Sequence, residues 1–562
     1  MNDIIPIVRD LKVLQQEEFD LLISGAGIFG ACAAWEAALR GYKVALIERE
    51  DFGSGVSANS YKIVHGGIRY IQHLDIPRVR SSCHERSTLL RIAPHLVHPL
   101  PIAIPTYGYG MSGKPVLAAG MYLYDLITAD RNQGIADPQR QIRWSRLMSR
   151  REALEKFPGL KTKGLTGAVV FSDAQMYNPP RLVLGFVQSA CSRGAIAGNH
   201  ISLEGYRRTG DRIGAARVKD QLSGNTFEIR AKTYLNATGP WSDQLLDNDR
   251  DTAGVLPGIY SRDACFVVKR QFDHDLSVAL MAQTKDPDAF LSRPARHIFV
   301  VPWRQFSLIG TWHKVVDPSP DDIGLDGLEI DAFIDEVRNA YPSLSISRDD
   351  VTICNWGLVP FGEEQKDKTN LSYGKRSIVV DHGKMDGPEN LVSLVGIRYT
   401  MGRGDATIAM RALAKKLGDG QSTPATDEIP IYGGDVPDIG RLVAQLTEML
   451  PENLDGSIAE SLARNYGSIA TRLVSDSRPE HLKTLGSSHV LEAEVVHAIK
   501  NEMAMTLGDV VFRRTDLASG GAPVREALDR CTELVAQELA LSPTDAEQQR
   551  AEVMSRIPGW TA

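Results

Sequence analysis

The sequence predicts an α/β domain of the Rossmann-like type, an antiparallel-sheet domain and an all-α C-terminal domain. The α/β domain is indicated by a glycine-rich turn between two short apolar strands near the N-terminus. The antiparallel sheet is indicated by alternating apolar runs at residues 264–268 and 297–301, with proline-rich breaks between them. Helical periodicity in four segments beyond residue 430 indicates the third domain. A chain of 562 residues is long enough to build several hydrophobic cores.

The glycine-rich turn has the spacing G-x-G-x-x-G and lies within DLLISGAGIFG at residues 20–30. Gly25 allows the tight turn, Gly27 lets the backbone approach a pyrophosphate, and Gly30 lets the helix lie close to the sheet. The helix N-terminus offers unpaired N–H groups to the phosphates. The second apolar strand ends at Glu48, where a carboxylate can accept the ribose hydroxyls. This order predicts a dinucleotide site rather than an ordinary turn before a helix.

The chain divides into three predicted domains. Residues 18–240 and 350–425 form a discontinuous α/β domain. Residues 245–350, with part of 100–160, form the antiparallel β domain that carries the substrate site. A linker rich in Pro, Gly and Thr leads to the helical domain at 430–562.

Composition and charge exclude several classes of protein. The net charge of −7 gives no reason to expect nucleic acid as a partner. Six scattered cysteines without a C-x-x-C pair argue against a zinc site and a disulfide framework, so we expect no metal and a reducing compartment. We find no signal-peptide pattern and no run of roughly 18 to 20 apolar residues. We therefore expect a cytoplasmic protein that at most lies on the inner face of the cytoplasmic membrane.

A second candidate binding element is the loop SANSYKIVHGGIRY at residues 57–70. It concentrates small polar residues, two glycines, a histidine and an arginine. Glycines allow close approach to a flat ring, and the loop can donate backbone N–H groups to it. On composition alone, a surface loop with incidental charges would read the same way.

This loop resembles that of the FAD-dependent glycerol-3-phosphate dehydrogenase/oxidase family, in which a Ser-rich stretch, a lysine and His-Gly-Gly-x-Arg-Tyr line the flavin. Further segments are similar to the family in the same order: MYLYDL at 121–126, LNATGPW at 235–241, VPW and SLIGT within 301–311, and EMAMTLGDV with RRT within 502–515. The resemblance covers almost the whole chain, which is identified as a divergent member.

The resemblance implies an FAD-binding Rossmann-like domain of the two-dinucleotide-binding, amino-acid-oxidase-like type, with FAD rather than NAD as the cofactor. It implies hydride transfer from a secondary carbinol carbon to flavin N5, and a membrane quinone or O2 as the electron acceptor. The residues that it assigns to FAD are Gly25, Ala26, Gly27, Phe29, Gly30, Glu48, Arg49, Ser57, Asn59, Ser60, Lys62, His65, Gly66, Gly67, Ala237, Thr238, Gly239, Trp241, Gly396, Arg398, Tyr399 and Thr400.

The substrate-facing motifs depart from the family pattern. Val359 stands where the family has an arginine, and Cys265 stands where it has a histidine. Trp312 adds bulk beside a family acid that is replaced by His313, and Arg398 replaces a lysine. Losing one arginine removes a contact worth roughly 1.5 to 3 kcal/mol. We therefore predict a small anionic polyol-type substrate other than glycerol 3-phosphate, such as another polyol phosphate, a glycerol-phosphate conjugate or a hydroxy acid.

The base and the anion-binding groups follow from these changes. His313 and His65 are the candidate bases, because an imidazole is the natural proton acceptor near neutral pH. Arginines suit the anionic tail, because their planar fork grips phosphate or carboxylate at two points. The predicted catalytic set is His313, His65, Arg376 and Arg398, and the predicted substrate set is Arg69, Arg376, Arg398, Cys265, Val359 and Trp312.

Three alternatives stay open at this point. One is an authentic glycerol-3-phosphate dehydrogenase that gives dihydroxyacetone phosphate, with neighbouring residues compensating for the changes. The others are a flavoprotein that oxidises amines or amino acids, and a catalytically silent flavin-binding or assembly protein. Apolar stretches within 111–127 leave peripheral membrane contact open, and the helical domain leaves a homodimer open.

Overall fold

The computed structural model describes residues 3–73, 75–110, 113–242, 260–282, 297–316, 324–360, 377–418 and 424–557. The glycine-rich turn starts at the end of a central strand in the first of two sheets. The strands of this sheet, in spatial order, are Ile378–Asp381, Leu391–Val395, Thr226–Asn236, Glu18–Ser24, Val44–Ile47 and Ile196–Gly198, and an antiparallel extension adds Ile201–Thr209 and Arg212–Asp220.

The core of the first sheet is parallel, as the predicted Rossmann-like domain requires. Leu21, Leu22 and Ile23 are at most 1% exposed, because helices cover one face of this strand and the antiparallel extension covers the other. The alanine-rich helix Ile28–Leu39 packs against the helices Pro179–Cys191 and Gly402–Lys416. Short side chains allow this close three-helix contact.

The second sheet is mainly antiparallel. Its strands, in spatial order, are Ile353–Pro360, Tyr260–Lys269, Phe306–Val316, His297–Trp303, Ser277–Met281, Val97–Tyr107, Leu165–Met176 and Ile63–Val64, with Arg146–Ser149 paired beside Leu165–Met176. The sheet therefore draws strands from both sides of the predicted 245–350 segment. The helix Gly327–Ala340 covers one face through Phe333 and Val337.

Four further helices join these layers. They are Leu11–Gln16, Ile76–Ile92, Lys114–Ile127 and Arg150–Lys156. Asp75 begins the helix Ile76–Ile92 by accepting a hydrogen bond from the Arg78 backbone N–H at 3.2 Å. That helix runs behind the loop at 57–70 and supports it.

The C-terminal region is helical, as the sequence predicts. Its helices are Ile439–Met449, Gly456–Tyr466, Ala470–Asp476, Glu492–Asn501, Leu507–Asp509, Arg525–Leu539 and Pro543–Ser555, with a π-helical turn at Val510–Arg514. Aspartates 438 and 455 cap two of these helices through side-chain bonds to backbone N–H groups. Across the described ranges, no helix is both long and apolar enough to cross a membrane.

Candidate active site

A cavity of about 1070 Å³ is lined by residues of both sheets and of the C-terminal region. Many of the predicted cofactor residues line it: Gly25, Gly27, Phe29, Glu48, Arg49, Ser57, Asn59, Ser60, Lys62, Ala237, Thr238, Gly239, Trp241, Gly396 and Tyr399. Four sequence segments that are far apart in the chain thus meet around one space.

The glycine-rich turn has no room for side chains. Gly25 has φ +96°, and a Cβ there would lie 2.6 Å from the Ala237 carbonyl oxygen. A Cβ on Gly30 would lie 1.9 Å from the Gly25 oxygen, so the helix can begin this close to the sheet only with glycine. The Ile28 N–H at the helix start donates to Ser57 Oγ at 3.0 Å. The turn and the loop at 57–70 are therefore joined where a pyrophosphate would bind.

Glu48 and Arg49 form the end of the cavity next to the second strand. The Glu48 carboxylate accepts hydrogen bonds from the backbone N–H groups of Ala26 at 2.7 Å and Glu50 at 3.0 Å. Burial raises the pKa of Glu48 although both bonds favour the carboxylate. The Arg49 guanidinium lies 4.9 Å from the centre of the Trp241 ring. Together they provide an acidic acceptor and a stacked cation at one end of the site.

Lys62 points a buried ammonium group at the cavity wall. Its backbone is left-handed, with φ 62°, and its carbonyl accepts a hydrogen bond from the Met176 N–H at 2.8 Å. Nζ lies 4.8 Å from the centre of the Trp303 ring, and the residue is 4% exposed. Burial lowers the pKa of Lys62 to about 8. A fraction of this side chain is thus neutral at physiological pH.

The His-Gly-Gly part of the loop lies behind the cavity wall. The Gly66 N–H donates to Asp173 Oδ1 at 2.7 Å, and Arg86 donates to the same oxygen at 2.6 Å. A Cβ on Gly66 would lie 2.1 Å from the Tyr124 hydroxyl. Within the described ranges, His65, Gly66 and Gly67 do not line the cavity, so this network shapes the loop instead.

The Arg398 side chain also does not line the cavity within the described ranges. Its guanidinium donates to Ser82 Oγ at 2.9 Å and to the Tyr70 hydroxyl at 3.4 Å. Gly396 lies against Phe29, where a Cβ would come within 1.8 Å of the ring. Of the remaining predicted residues, Ala26, Gly30 and Thr400 lie just behind the wall rather than on it.

Two predicted arginines lie wholly or partly outside the described residues. Arg376 lies outside the described residues. The backbone of Arg69 belongs to a short 3-10 helix, Ile68–His73, but its side chain is not described. Their assignment to the anionic tail stays a prediction.

Of the residues predicted to contact the substrate or act as the base, Cys265 and Val359 line the cavity, whereas Trp312 and His313 are not among the described lining residues. Trp312 packs against Phe333, with ring centres 5.2 Å apart, in the core beneath the sheet. The cause is a register shift in the strand pair: Ala264 lies opposite Trp312, whereas Cys265 lies opposite Gly310. The extra residue, Thr311, lines the cavity instead.

Asn355 is a wall residue that sequence reasoning missed. It lies opposite Cys265 on the neighbouring strand and is 6% exposed. Its side chain lies beside the Cys265 thiol, and its Nδ2 group makes no other hydrogen bond among the described residues. Burial raises the pKa of the neighbouring Cys265 thiol to about 11, so this corner presents neutral donors. A lone amide in the apolar strand TICNWGLV was the available signal.

Comparison with known proteins identifies the family. Residues 20–398 match the model of FAD-dependent oxidoreductases, and residues 424–546 match the C-terminal domain of alpha-glycerophosphate oxidase. A glycerol-3-phosphate dehydrogenase from Synechocystis sp. is 30% identical over 91% of this chain and 91% of its own. This chain belongs to the FAD-dependent glycerol-3-phosphate dehydrogenase family. The mitochondrial enzyme of Macaca fascicularis is 31% identical over 94% of this chain and 72% of its own.

Solved structures agree with the fold. The glycerol-3-phosphate dehydrogenase from Bacillus halodurans, complexed with FAD, matches with a TM-score of 0.75 at 21% identity, covering 97% of this chain and 95% of that chain. The predicted fold class, FAD as the cofactor, and dehydrogenase or oxidase action on a CH–OH group are confirmed. The crowded glycines and the Ile28–Ser57 contact leave a cradle that suits the FAD pyrophosphate.

Proposed function

We propose that this member of the family oxidises a secondary alcohol of a polyol phosphate, or of a related anionic substrate, to the ketone, and that glycerol 3-phosphate is not its preferred substrate. The observation that carries the proposal is the cavity wall. Val359 and Cys265 line it at positions where the family pattern has an arginine and a histidine. An apolar group and a thiol bind a phosphate less well than an arginine and a histidine, and they leave room for a different tail.

FAD would be held by the glycine turn, by Glu48 and Arg49, and by the loop ending at Lys62. When bound, it supplies the hydride acceptor for the carbinol carbon. The chain must then orient the alcohol, take its hydroxyl proton and keep water out.

Lys62 is the base that the geometry supports best. Its Nζ is buried at the cavity wall, and its lowered pKa of about 8 gives a neutral amine that can accept a proton. The predicted bases His65 and His313 do not line the cavity within the described part of the chain. We therefore propose that Lys62 Nζ takes the hydroxyl proton as the C=O bond forms. Asn355 Nδ2 would donate to the same oxygen.

The first test is an anaerobic titration of the purified holoenzyme, followed by the visible flavin band. Glycerol 3-phosphate, larger polyol phosphates, hydroxy acids and amino acids are added separately. We expect bleaching by a larger polyol phosphate or a hydroxy acid at lower concentration than by glycerol 3-phosphate. Full bleaching by a low concentration of glycerol 3-phosphate would contradict the proposal and indicate an authentic glycerol-3-phosphate dehydrogenase. Bleaching by amino acids alone would favour an amine-oxidising enzyme.

We further propose that the electrons pass to a quinone at an anionic membrane face. The helix Lys114–Ile127 supports this, because its exposed positions are all apolar: Pro115, Val116, Ala119, Tyr122, Leu123 and Leu126. Trp144 is 56% exposed beside it, near the exposed Arg143 and Arg146. An apolar face bordered by an aromatic residue and arginines is typical of helices that lie in a lipid interface.

A further inference from the structure

The signature in the C-terminal domain, E-x-A-x-T-x-x-D-x-x-x-R-R-T at 502–515, has no part in the chemistry proposed above. Its charged residues nevertheless reach across to the cofactor domain. Arg514 donates to both oxygens of Asp51 at 2.5 and 2.7 Å, and both side chains are fully buried. Asp509 bonds His200 at 2.9 Å. A surface motif of a merely attached domain would not bury its charges in this way.

The two partners of the signature sit on the loops that close one end of the FAD cavity. Asp51 follows Glu48 by three residues, and the His200 N–H donates to the Glu50 carbonyl at 2.6 Å. The next residue, Ile201, donates its N–H to the Glu48 carbonyl at 2.7 Å and lines the cavity. The C-terminal domain therefore fixes the backbone around Glu48, where the dinucleotide motif expects the adenosine ribose.

Arg513, the residue before Arg514, lines the cavity itself. It is 9% exposed, and its Nε has no hydrogen-bond acceptor among the described residues. The nearest carboxylate oxygens, on Asp51 and Glu50, are 3.6 and 3.9 Å from the guanidinium. Those distances leave the Nε–H donor unused, since a hydrogen bond needs about 3 Å. Phe512 and Arg556 also line the cavity, and the guanidinium groups of Arg513 and Arg556 lie 6.0 and 5.9 Å from the centre of the Phe512 ring.

We propose that the helical C-terminal domain is part of the FAD site, and that Arg513 donates a hydrogen bond to the adenosine half of the cofactor. An adenosine offers ring nitrogens and ribose oxygens as acceptors for a buried guanidinium. Phe512 gives the adenine an apolar edge. This proposal rests on the established cofactor and not on the identity of the substrate. It can therefore fail while the proposed substrate is correct, and the reverse.

The test measures separately how the flavin half and the adenosine half of FAD contribute to binding. Apoprotein of the full chain is titrated with FAD, FMN and ADP, and binding is followed by quenching of protein fluorescence. For R513Q we expect about tenfold weaker binding of FAD and of ADP, and unchanged binding of FMN, which lacks the adenosine. The matched control is R530Q, which removes an arginine of the same domain that pairs with Glu492 and does not line the cavity. It should leave all three affinities unchanged.

Unchanged FAD and ADP affinity in R513Q would overturn the proposal. Equal weakening of FAD, ADP and FMN would also overturn it, because it would indicate a loosened domain rather than a lost contact. If R513Q does not fold, R513K replaces it, because lysine keeps the charge but lacks the Nε–H donor. The rise in Tm on adding FAD is then compared between R513K and wild type. A smaller rise in R513K supports the proposal, and an equal rise overturns it.

Discussion

Position 359 is where a single side chain should decide which anion this enzyme accepts. Val359 is half-buried on the cavity wall, at a position where the resemblance implies an arginine in the family. In V359R we expect kcat/KM for glycerol 3-phosphate to rise about 10- to 100-fold, because a guanidinium–phosphate contact is worth about 1.5 to 3 kcal/mol. Steady-state kinetics with glycerol 3-phosphate measure this. V359M is the control for volume without charge, and an equal gain in V359M would contradict the argument.

The pKa of Lys62 should determine how the rate of flavin reduction depends on pH. Because burial lowers this pKa to about 8, the amine becomes neutral as the pH rises through 8. If the neutral amine is the base, the anaerobic reduction rate should rise with pH and level off above about 8. In K62M we expect a loss of about 10²- to 10⁴-fold and no rising limb. The visible spectrum checks that FAD is still bound, and a K62M enzyme with the wild-type pH profile would exclude Lys62 as the base.

For single residues, the sequence predicted the steric role of the motif glycines better than it predicted which side chains face the cavity. Gly25 and Gly30 are fixed by steric contacts that the motif spacing encodes. Trp312 was predicted to line the pocket and instead packs on Phe333, because a register shift between two strands reverses which side chains face the cavity. The pairing partner that sets such a shift lies about fifty residues away in the chain, beyond any local pattern.

Among the elements, the helix Lys114–Ile127 allows the membrane proposal to be tested without touching the active site. In L126E we expect weaker sedimentation with anionic phospholipid vesicles, because Leu126 is 67% exposed on the apolar face and a carboxylate there is repelled by the lipid. L328E is the matched control, since Leu328 is 79% exposed on a different helix. Equal loss in both variants, or in neither, would remove the support for a lipid-facing helix.

Helices and strands were largely predictable as elements, but their grouping into sheets was predictable only in part. Periodicity located the helices after residue 430, and alternation located strands within 245–350. The sequence assigned part of 100–160 to the antiparallel domain, and Val97–Tyr107 lies mostly in that part, but Leu165–Met176 lies beyond it. The π-helical turn Val510–Arg514 has no local signal either, because its geometry accompanies contacts of Arg514 with a distant aspartate. Tertiary contacts decide these features, and a single sequence does not display them.

For the whole molecule, docking of the C-terminal domain depends on buried ion pairs. Arg181 donates to Glu502 at 2.6 Å, with side chains 5% and 1% exposed, and the Arg181 guanidinium holds the pKa of Glu502 well below its usual range despite burial. E502Q should lower the free energy of unfolding by about 3 to 5 kcal/mol, because Arg181 is left buried without its counterion. Chemical denaturation of the holoenzyme measures this. E228Q breaks the exposed pair with Arg207 and should cost under about 1 kcal/mol. Similar losses in both variants would contradict the argument.

The pair between His200 and Asp509 should make this docking depend on pH. Burial opposes the charged imidazole, but the hydrogen bond to Asp509 raises the pKa of His200 above its ordinary value of about 6.5. The same pair lowers the pKa of Asp509 to about 2. The histidine's contribution is complete below about pH 6.5 and is lost as the pH rises through its raised pKa, whereas that of the aspartate is complete above about 4 and is lost toward 2. Asp51 and Arg9 also face His200, and they favour and oppose the imidazolium respectively.

Substituting His200 should therefore cost most in mildly acidic solution. In H200Q we expect Tm to fall clearly below wild type at pH 5.5, and the difference to narrow toward pH 8.5, as the pH rises through the raised pKa of His200. The exposed His489, which bonds Ser457 at 3.0 Å, supplies the control variant H489Q, whose Tm should follow wild type at both pH values. A difference between H200Q and wild type that stays constant from pH 5.5 to 8.5 would mean that His200 acts through packing alone. A narrowing difference would link the C-terminal domain, through His200 and the adjoining strand, to the end of the cavity that Arg513 and Glu48 line.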